Sequence, residues 1–262
     1  MGMQFGLNDI IGNLKKASAD KNVKGIYLEL TDNPAGQATL EEIRNALIEF
    51  KKSGKFIVSY SEAFTQKSYY LASVSDKIYL NPAGDMEFKG MIGQVMFFKG
   101  LLEKIDVEPQ VIRHGKFKSA IEPFTLDKMS DANKEQTLTF ISGMWNHVLA
   151  GISDSRKIPV DDLNAIANEY KIQSPQDAVS FKMVDKLLYK DEVLDELKAR
   201  VEVKDNKDLK LMKLGKYAKA PEADKKTSGD KIAVIYATVS IGSGEGDDES
   251  IGSETTSKAI RK

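Results

Sequence analysis

Two lysines stand two positions apart in a short segment whose residue types could support base chemistry. Lys116 and Lys118 follow Gly115 and flank an aromatic residue. An ammonium group has no lone pair, so a lysine that acts as a base near neutral pH needs a pKa about 2–3 units below its usual value of about 10.4. Partly apolar surroundings and neighbouring cations both favour the neutral amine. The segment therefore predicts general-base chemistry by one of these lysines.

The residues around the lysine pair leave more than one role open. Arg113 and His114 add positive charge that would favour a neutral amine by repulsion. In an extended segment Lys116 and Lys118 share one face, and in a helix they diverge, so geometry alone does not choose between them. The contrary interpretation is that both are surface charges, as most lysines are. Ser119 stands beside Lys118, but neighbouring positions rarely aim at one point, which disfavours it as a nucleophile.

The lysine segment lies between two elements that could hold it in place. The apolar run at residues 107–112 predicts a strand before it, and Ser130 predicts the cap of a long amphipathic helix after it. Junctions between strands and helices are where α/β proteins place their chemistry. The apolar stripe of the predicted helix consists of Leu138, Ile141, Trp145, Val148, Leu149 and Ile152. Trp145 is expected to be a core or interface anchor.

Short strand patterns alternate with helix patterns over most of the chain. Strands are predicted at residues 23–30, 56–60 and 77–80, and helices at residues 39–52, 65–74, 160–169 and 192–201. Asn8 is predicted to cap an earlier helix, Gly90 to open one that runs through Leu102, and Ser174 to cap a short one. This alternation predicts an α/β fold with a mainly parallel sheet covered by helices.

Composition and charge exclude several classes of function. The 38 basic and 39 acidic residues give a net charge of -1, so no overall attraction to nucleic acid is expected. The absence of cysteine excludes thiol chemistry, disulfides and cysteine metal sites. His114 and His147 lie far apart, so a zinc site is not expected, and no cofactor is predicted.

The character of the chain changes after residue 202. Lysines recur at every third position from Lys204 to Lys219, but interleaved acids favour a linker or covering segment over a nucleic-acid stripe. Residues 231–236 predict a new strand, followed by a glycine-rich acidic loop that lacks the spacing and positive potential of a dinucleotide site. The predicted organisation is a first domain at residues 1–202, a linker at 203–229 and the start of a second unit at 230–262.

The segment at residues 115–124, Gly-Lys-Phe-Lys-Ser-Ala-Ile-Glu-Pro-Phe, closely resembles a motif of signal peptide peptidase A in its long, two-repeat form. Weaker matches lie at residues 24–28, at residues 68–73, and at residues 181–185, where Lys182 replaces a glycine of the family pattern. The resemblance covers nearly the whole chain. It implies a ClpP/crotonase-type fold and a serine peptidase that works through a Ser/Lys dyad.

The resemblance also assigns roles to individual residues. Lys118 matches the general base, with Lys116 as the alternate. The position of the nucleophilic serine falls on Gln66, which cannot attack a carbonyl, and residues 32–36 match the oxyanion-hole loop with its double glycine reduced to Ala35-Gly36. The serine is expected from the second repeat, which residues 230–262 would begin. The chain is therefore expected to be a fragment that lacks the nucleophile and is inactive alone.

The resemblance further implies where the full-length protein acts and with what. Its substrates would be signal peptides, its assembly a ring-like homo-oligomer, and its location the inner membrane facing the periplasm. No run of about 18 apolar residues occurs in the chain, so the membrane segment would lie outside it. Two alternatives stay open: a crotonase-type enzyme acting on acyl thioesters, which usually needs a carboxylate acid/base, and a non-catalytic ring-assembly domain.

Overall fold

The structure is a computed structural model that describes residues 5–32, 34–112, 114–205, 207–221, 240–247 and 250–261. It contains two compact units, Met1–Pro221 and Glu222–Lys262. None of the described helices combines the length and apolar character needed to cross a membrane.

A parallel sheet forms the centre of the first unit. Its strands are β1 (Gly25–Glu29), β2 (Phe56–Phe64), β3 (Lys77–Met86) and β4 (Lys186–Leu187), in the order β1-β2-β3-β4. All three neighbouring pairs are parallel. The predicted α/β fold with a mainly parallel sheet is confirmed.

Helices cover both faces of this sheet because consecutive residues of a strand point to opposite sides. Ile57 of β2 belongs to a buried cluster with Leu47 of α2 (Gln37–Lys51), whereas the next residue, Val58, belongs to a cluster with Val193 and Leu197 of α9 (Lys190–Arg200). The helices of the first unit are α1 (Leu7–Ala19), α2 (Gln37–Lys51), α3 (Gln66–Ala72), α4 (Lys99–Lys104), α5 (Glu122–Thr125), α6 (Asp131–Arg156), α7 (Val160–Asn168), α8 (Pro175–Ser180), α9 (Lys190–Arg200) and α10 (Leu214–Tyr217).

Helix caps were predicted with mixed success. Ser130 caps α6 by accepting a hydrogen bond from Asn133 N, and Ser174 caps α8 with proline at its first position, both as predicted. Asn8 is not a cap, because α1 already begins at Leu7, after Gly6.

The prediction of a helix that begins at Gly90 is wrong, because α4 begins only at Lys99. Gly90 has a φ of 90°, which is incompatible with a right-handed helix.

The prediction of a strand at residues 107–112 is wrong. These residues form no helix or strand, and Val107, Val111 and Ile112 are exposed. Pro109 supplies no N–H donor for a ladder, and the described sheet has no strand paired with this run. An apolar run alone did not distinguish a buried strand from an exposed apolar segment.

The second unit is described at residues 240–247 and 250–261. Two short strands, β5 (Ser240–Gly242) and β6 (Ser250–Gly252), pair in parallel, and α11 (Ser253–Ile260) follows. The predicted strand at residues 231–236 lies outside the described residues.

Candidate functional site

The turn between β2 and α3 holds the residue that sequence reasoning placed at the nucleophile position. Thr65 caps α3, and Gln66 is the first residue of the helix. The Gln66 Oε1 accepts hydrogen bonds from Lys89 N at 3.2 Å and Gly90 N at 3.1 Å. Its Nε2 donates to Gly90 O at 3.1 Å. Both ends of the amide are therefore engaged, and they tie this turn to the segment that follows β3.

The loop between β1 and α2 lies beside the same turn. Lys67 Nζ donates a hydrogen bond to Ala35 O at 3.1 Å, and Gly36 is the N-cap residue of α2. The carboxyl ends of neighbouring parallel strands lie at one edge of a sheet, where α/β proteins bind ligands. The structure thus brings together the two turns that sequence reasoning assigned to the nucleophile and the oxyanion hole.

The lysine segment is a surface turn whose shape depends on a glycine. Gly115 has a φ of 106°, a conformation that favours glycine, and a Cβ built there would lie 3.8 Å from Lys118 Cγ. Lys118 is the N-cap residue of a 3-10 turn, Ser119–Ile121. The side chains of Lys116 and Lys118 are both exposed in this chain.

A buried carboxylate fixes the far end of the lysine segment to α6. Glu122 is 2% exposed and belongs to the short helix α5, which follows the 3-10 turn directly. Its Oε1 accepts from Ser130 Oγ at 2.6 Å, and its Oε2 accepts from Ser130 N at 3.1 Å and Asn133 Nδ2 at 2.9 Å. Sequence patterns do not predict these partners, because the donors follow eight and eleven residues later, at the start of a helix whose position had to be known first.

A second contact holds α5 from the other side. Phe98 N donates to Pro123 O at 2.6 Å, and the Phe98 and Phe124 rings stack with their centroids 6.0 Å apart. Lys99 Nζ lies 3.2 Å from Asp127 Oδ2. The main chain after Lys118 is thus fixed both to α6 and to the start of α4.

The two histidines occupy separate places. His114 lies in the exposed lysine segment, whereas His147 Nε2 lies 3.0 Å from Glu41 Oε2. The part of the chain that the structure describes has no cluster of three His, Cys, Asp or Glu side chains suited to a metal ion.

Glu41 also accepts a hydrogen bond from Tyr70 OH. Partial burial raises the pKa of Glu41, but the hydrogen bonds from Tyr70 and His147 outweigh it and hold this pKa below its ordinary value.

Large apolar side chains are exposed on the segments around the lysines. We define the exposed apolar set as Ile92, Met96, Leu101, Ile105, Ile112, Phe117, Phe124, Leu138 and Phe140.

The predicted apolar stripe of α6 is buried at Val148, Leu149 and Ile152, but Leu138 is 53% exposed. Trp145 packs on Phe88 with ring centroids 5.4 Å apart, which confirms it as an anchor.

The turn at residues 181–185 also matches a family motif, and its geometry explains the glycine of the family pattern. Lys182 has a φ of 61°, in the left-handed region. Arg156 Nη2 donates to Lys182 O at 2.9 Å, and Arg156 Nη1 lies 3.2 Å from Asp185 Oδ2. Asp185 Oδ2 in turn accepts from Ile78 N at 2.8 Å, which fixes the turn to β3.

Comparison with known proteins places these features in a family. The model of Peptidase family S49 matches residues 49–204, more than half of the chain, and this range includes Gln66, Lys116 and Lys118. The chain belongs to peptidase family S49. The resemblance to signal peptide peptidase A, which belongs to this family, is confirmed, and so is the ClpP/crotonase-like fold.

Curated relatives of this S49 chain include proteins from bacteria and from a plant. It is 32% identical to Protease 4 of Salmonella typhi over 97% of the chain and 42% of that protein. It is 32% identical to the chloroplastic serine protease SPPA of Arabidopsis thaliana over 90% of the chain and 35% of that protein. A putative signal peptide peptidase SppA of Enterococcus faecium is 24% identical over 77% of the chain and 58% of that protein. The S49 chain spans less than half the length of the first two relatives.

Proposed function

We propose that this chain supplies the general base of a Ser/Lys serine endopeptidase that degrades signal peptides, with Lys118 as the base and Lys116 as the alternate. The observation that carries the proposal is the lysine segment itself. In a chain of family S49, Lys118 begins a turn whose following main chain is fixed to α6 and α4, while its side chain is exposed. This arrangement presents an amine outward on a rigid support.

The nucleophile comes from elsewhere in this proposal. The Gln66 amide is not a nucleophile, and both of its ends are hydrogen-bonded to Lys89 and Gly90. A serine of the second repeat would attack the scissile carbonyl while the neutral lysine accepts its proton. The lysine would then return that proton to the leaving amine. Residues 230–262 are the proposed start of that repeat, residues 1–202 the base-carrying repeat and residues 203–229 the segment between them.

The exposed apolar set supports assembly. It includes Ile92, which is 90% exposed, and Phe140, which is 64% exposed, and exposed apolar surface is what protein–protein interaction sites commonly present. We propose that further copies of the protein cover them in a ring-like homo-oligomer. The same cover would bring lysine and serine together and exclude water from the amine. Location at the inner membrane, facing the periplasm, belongs to this proposal.

The exposed apolar set also favours one alternative, a non-catalytic assembly domain. Such a domain would expose apolar side chains and would not need Lys118. A crotonase-type acyl-thioester enzyme is less well supported, because it usually needs a carboxylate acid/base. The buried carboxylate nearest in sequence to Lys118 is Glu122, which is occupied by Ser130 and Asn133.

The deciding experiment measures peptide-ester hydrolysis by the peptidase that contains both repeats. Loss of a general base typically lowers the rate about 10²–10⁴-fold, so we expect Lys118→Ala to reduce kcat by that factor. Lys128→Ala, at an exposed lysine in the loop before α6, is the matched control and should retain activity. A loss with Lys116→Ala instead would assign the base to Lys116. Full activity of both variants would exclude the lysine mechanism and favour the assembly domain.

A further inference from the structure

The main chain on the C-terminal side of Lys118 has little freedom to move. The 3-10 turn Ser119–Ile121 passes directly into α5, and Glu122 N donates back to Ser119 O. Thr125 Oγ1 donates to Ile121 O at 3.2 Å. At a rise of about 2 Å per residue, the Lys118 Cα lies only about 8 Å from that of Glu122 along the axis of the turn. Contacts that hold Glu122 in place therefore also restrict the position of the Lys118 Cα, from which the lysine side chain extends.

Glu122 is fixed by a set of donors that is suited to a carboxylate. Ser130 contributes its N–H and its hydroxyl, and Asn133 contributes its side-chain amide. These groups belong to the N-cap residue and the first turn of α6, a helix of 26 residues, whose N-terminus favours negative charge. A buried carboxyl with several hydrogen-bond donors is stable where an unpaired one would not be.

We infer that Glu122 is a positioning residue for the proposed lysine base. Its carboxylate holds the turn that begins at Lys118 against the N-terminus of α6 and thereby sets the direction from which the amine meets the serine hydroxyl. This inference rests on the proposed function and adds to it a residue that touches neither substrate nor serine. On the N-terminal side of Lys118 the exposed turn at Gly115 offers no comparable buried anchor among its described contacts.

A purely structural cap makes a different prediction from a positioning residue. Loss of a helix cap lowers stability wherever it occurs, whereas loss of a positioning contact lowers the rate of the chemical step at equal folded fraction. Ser174 offers the matched control, because it forms a capping box with Asp177 at α8. Ser174→Ala removes a similar cap far along the chain from the lysine segment.

The test compares Glu122→Ala, Glu122→Gln and Ser174→Ala in the peptidase that contains both repeats. We expect Glu122→Ala to lower kcat for a peptide ester about 10–100-fold with KM within about twofold, in line with the sensitivity of catalysis to small displacements. Glu122→Gln, which keeps one carbonyl acceptor, should restore part of the rate. Ser174→Ala should leave kcat within about twofold at the same folded fraction.

A second measurement does not depend on activity. Amide hydrogen exchange at residues 119–126 should be at least about tenfold faster in Glu122→Ala than in the parent, and unchanged in Ser174→Ala. Unchanged exchange, or a fall in kcat no greater than that of Ser174→Ala, would overturn the positioning role while leaving Lys118 as the base. Full activity of both Lys118→Ala and Lys116→Ala would instead overturn the proposed function, and the positioning role with it.

Discussion

Gln66 binds the peptide groups of Gly90 from both directions, since its Oε1 accepts from Gly90 N and its Nε2 donates to Gly90 O, each at 3.1 Å. These hydrogen bonds lie at the turn where the family resemblance predicts a nucleophile. In this chain the Gln66 side chain holds the loop after β3.

Replacing Gln66 with serine should therefore weaken the fold without creating a peptidase. Ser is too short to reach both groups of Gly90, so we expect a loss of about 1–2 kcal/mol in the free energy of unfolding. Chemical denaturation gives this value, and peptide-ester hydrolysis by the variant should stay at the background rate. Lys67→Ala, which removes the exposed bond to Ala35, is the control and should change stability by less than about 0.5 kcal/mol. Hydrolysis by Gln66→Ser in this chain alone would contradict the assignment.

The backbone at Lys182 supplies a second prediction. Its φ of 61° strains a residue with a Cβ, and its side chain is exposed, so little packing is lost on replacement. Lys182→Gly should raise the free energy of unfolding by about 0.5–1 kcal/mol, after the greater freedom of glycine in the unfolded chain is taken into account. Lys15→Gly, at an exposed position in the interior of α1, should lower it by about 1 kcal/mol. Equal losses in both variants would show that the turn is not strained.

Sequence reasoning predicted the fold well wherever local patterns and burial agree. Residues 56–60 and 77–80, which begin β2 and β3, are mostly apolar or aromatic, and the caps Ser130 and Ser174 carry local signals that the structure confirms. It failed at residues 107–112, where apolar side chains stay exposed. A sequence does not show whether such a run is covered by its own chain, covered by another molecule or left exposed.

The candidate site could be predicted only in part. Lys118 and Gln66 were predicted from motif position alone. The role of Lys118 as general base, and the absence of a nucleophile at Gln66, remain predictions. The hydrogen bonds of Gln66 to Gly90, and of Glu122 to Ser130 and Asn133, were not predicted. Each joins a side chain to groups 8 to 24 residues away, whose place depends on where the next helix or loop begins. Periodicity and capping rules carry no information about such pairings.

The Glu41 cluster makes the stability of the chain dependent on pH. Its carboxylate accepts from Tyr70 and His147, and Arg44 lies with its guanidinium carbon 4.8 Å from the Tyr70 ring centroid. Because the pKa of Glu41 is lower in the folded chain than in the unfolded chain, its contribution is complete above the unfolded pKa and is lost as pH falls through the folded value.

We therefore expect Glu41→Gln to lower the free energy of unfolding by about 1–2 kcal/mol at pH 7, through weaker hydrogen bonds, and to make the decline of stability between pH 7 and pH 3.5 smaller than in the parent. Urea denaturation at pH 7 and at pH 3.5 measures both effects. The control is Glu49→Gln, because the Glu49 side chain is 70% exposed in its pair with Lys52. The same acid profile for Glu41→Gln and the parent protein would contradict a role for this carboxylate.

The exposed apolar set should control assembly rather than folding. Ile112 is fully exposed in this chain, so Ile112→Ser removes no buried contact and should change the free energy of unfolding by less than about 0.5 kcal/mol. If another copy covers Ile112, the same change weakens the assembly, because each buried aliphatic side chain contributes about 1.5–3 kcal/mol to association. Analytical ultracentrifugation of the peptidase with both repeats should then show dissociation at higher protein concentrations than for the parent. Ser180→Ala, on the short helix α8, is the control that should leave the assembly intact. An unchanged dissociation profile for Ile112→Ser and for Phe140→Ser would mean that these side chains meet something other than a second copy.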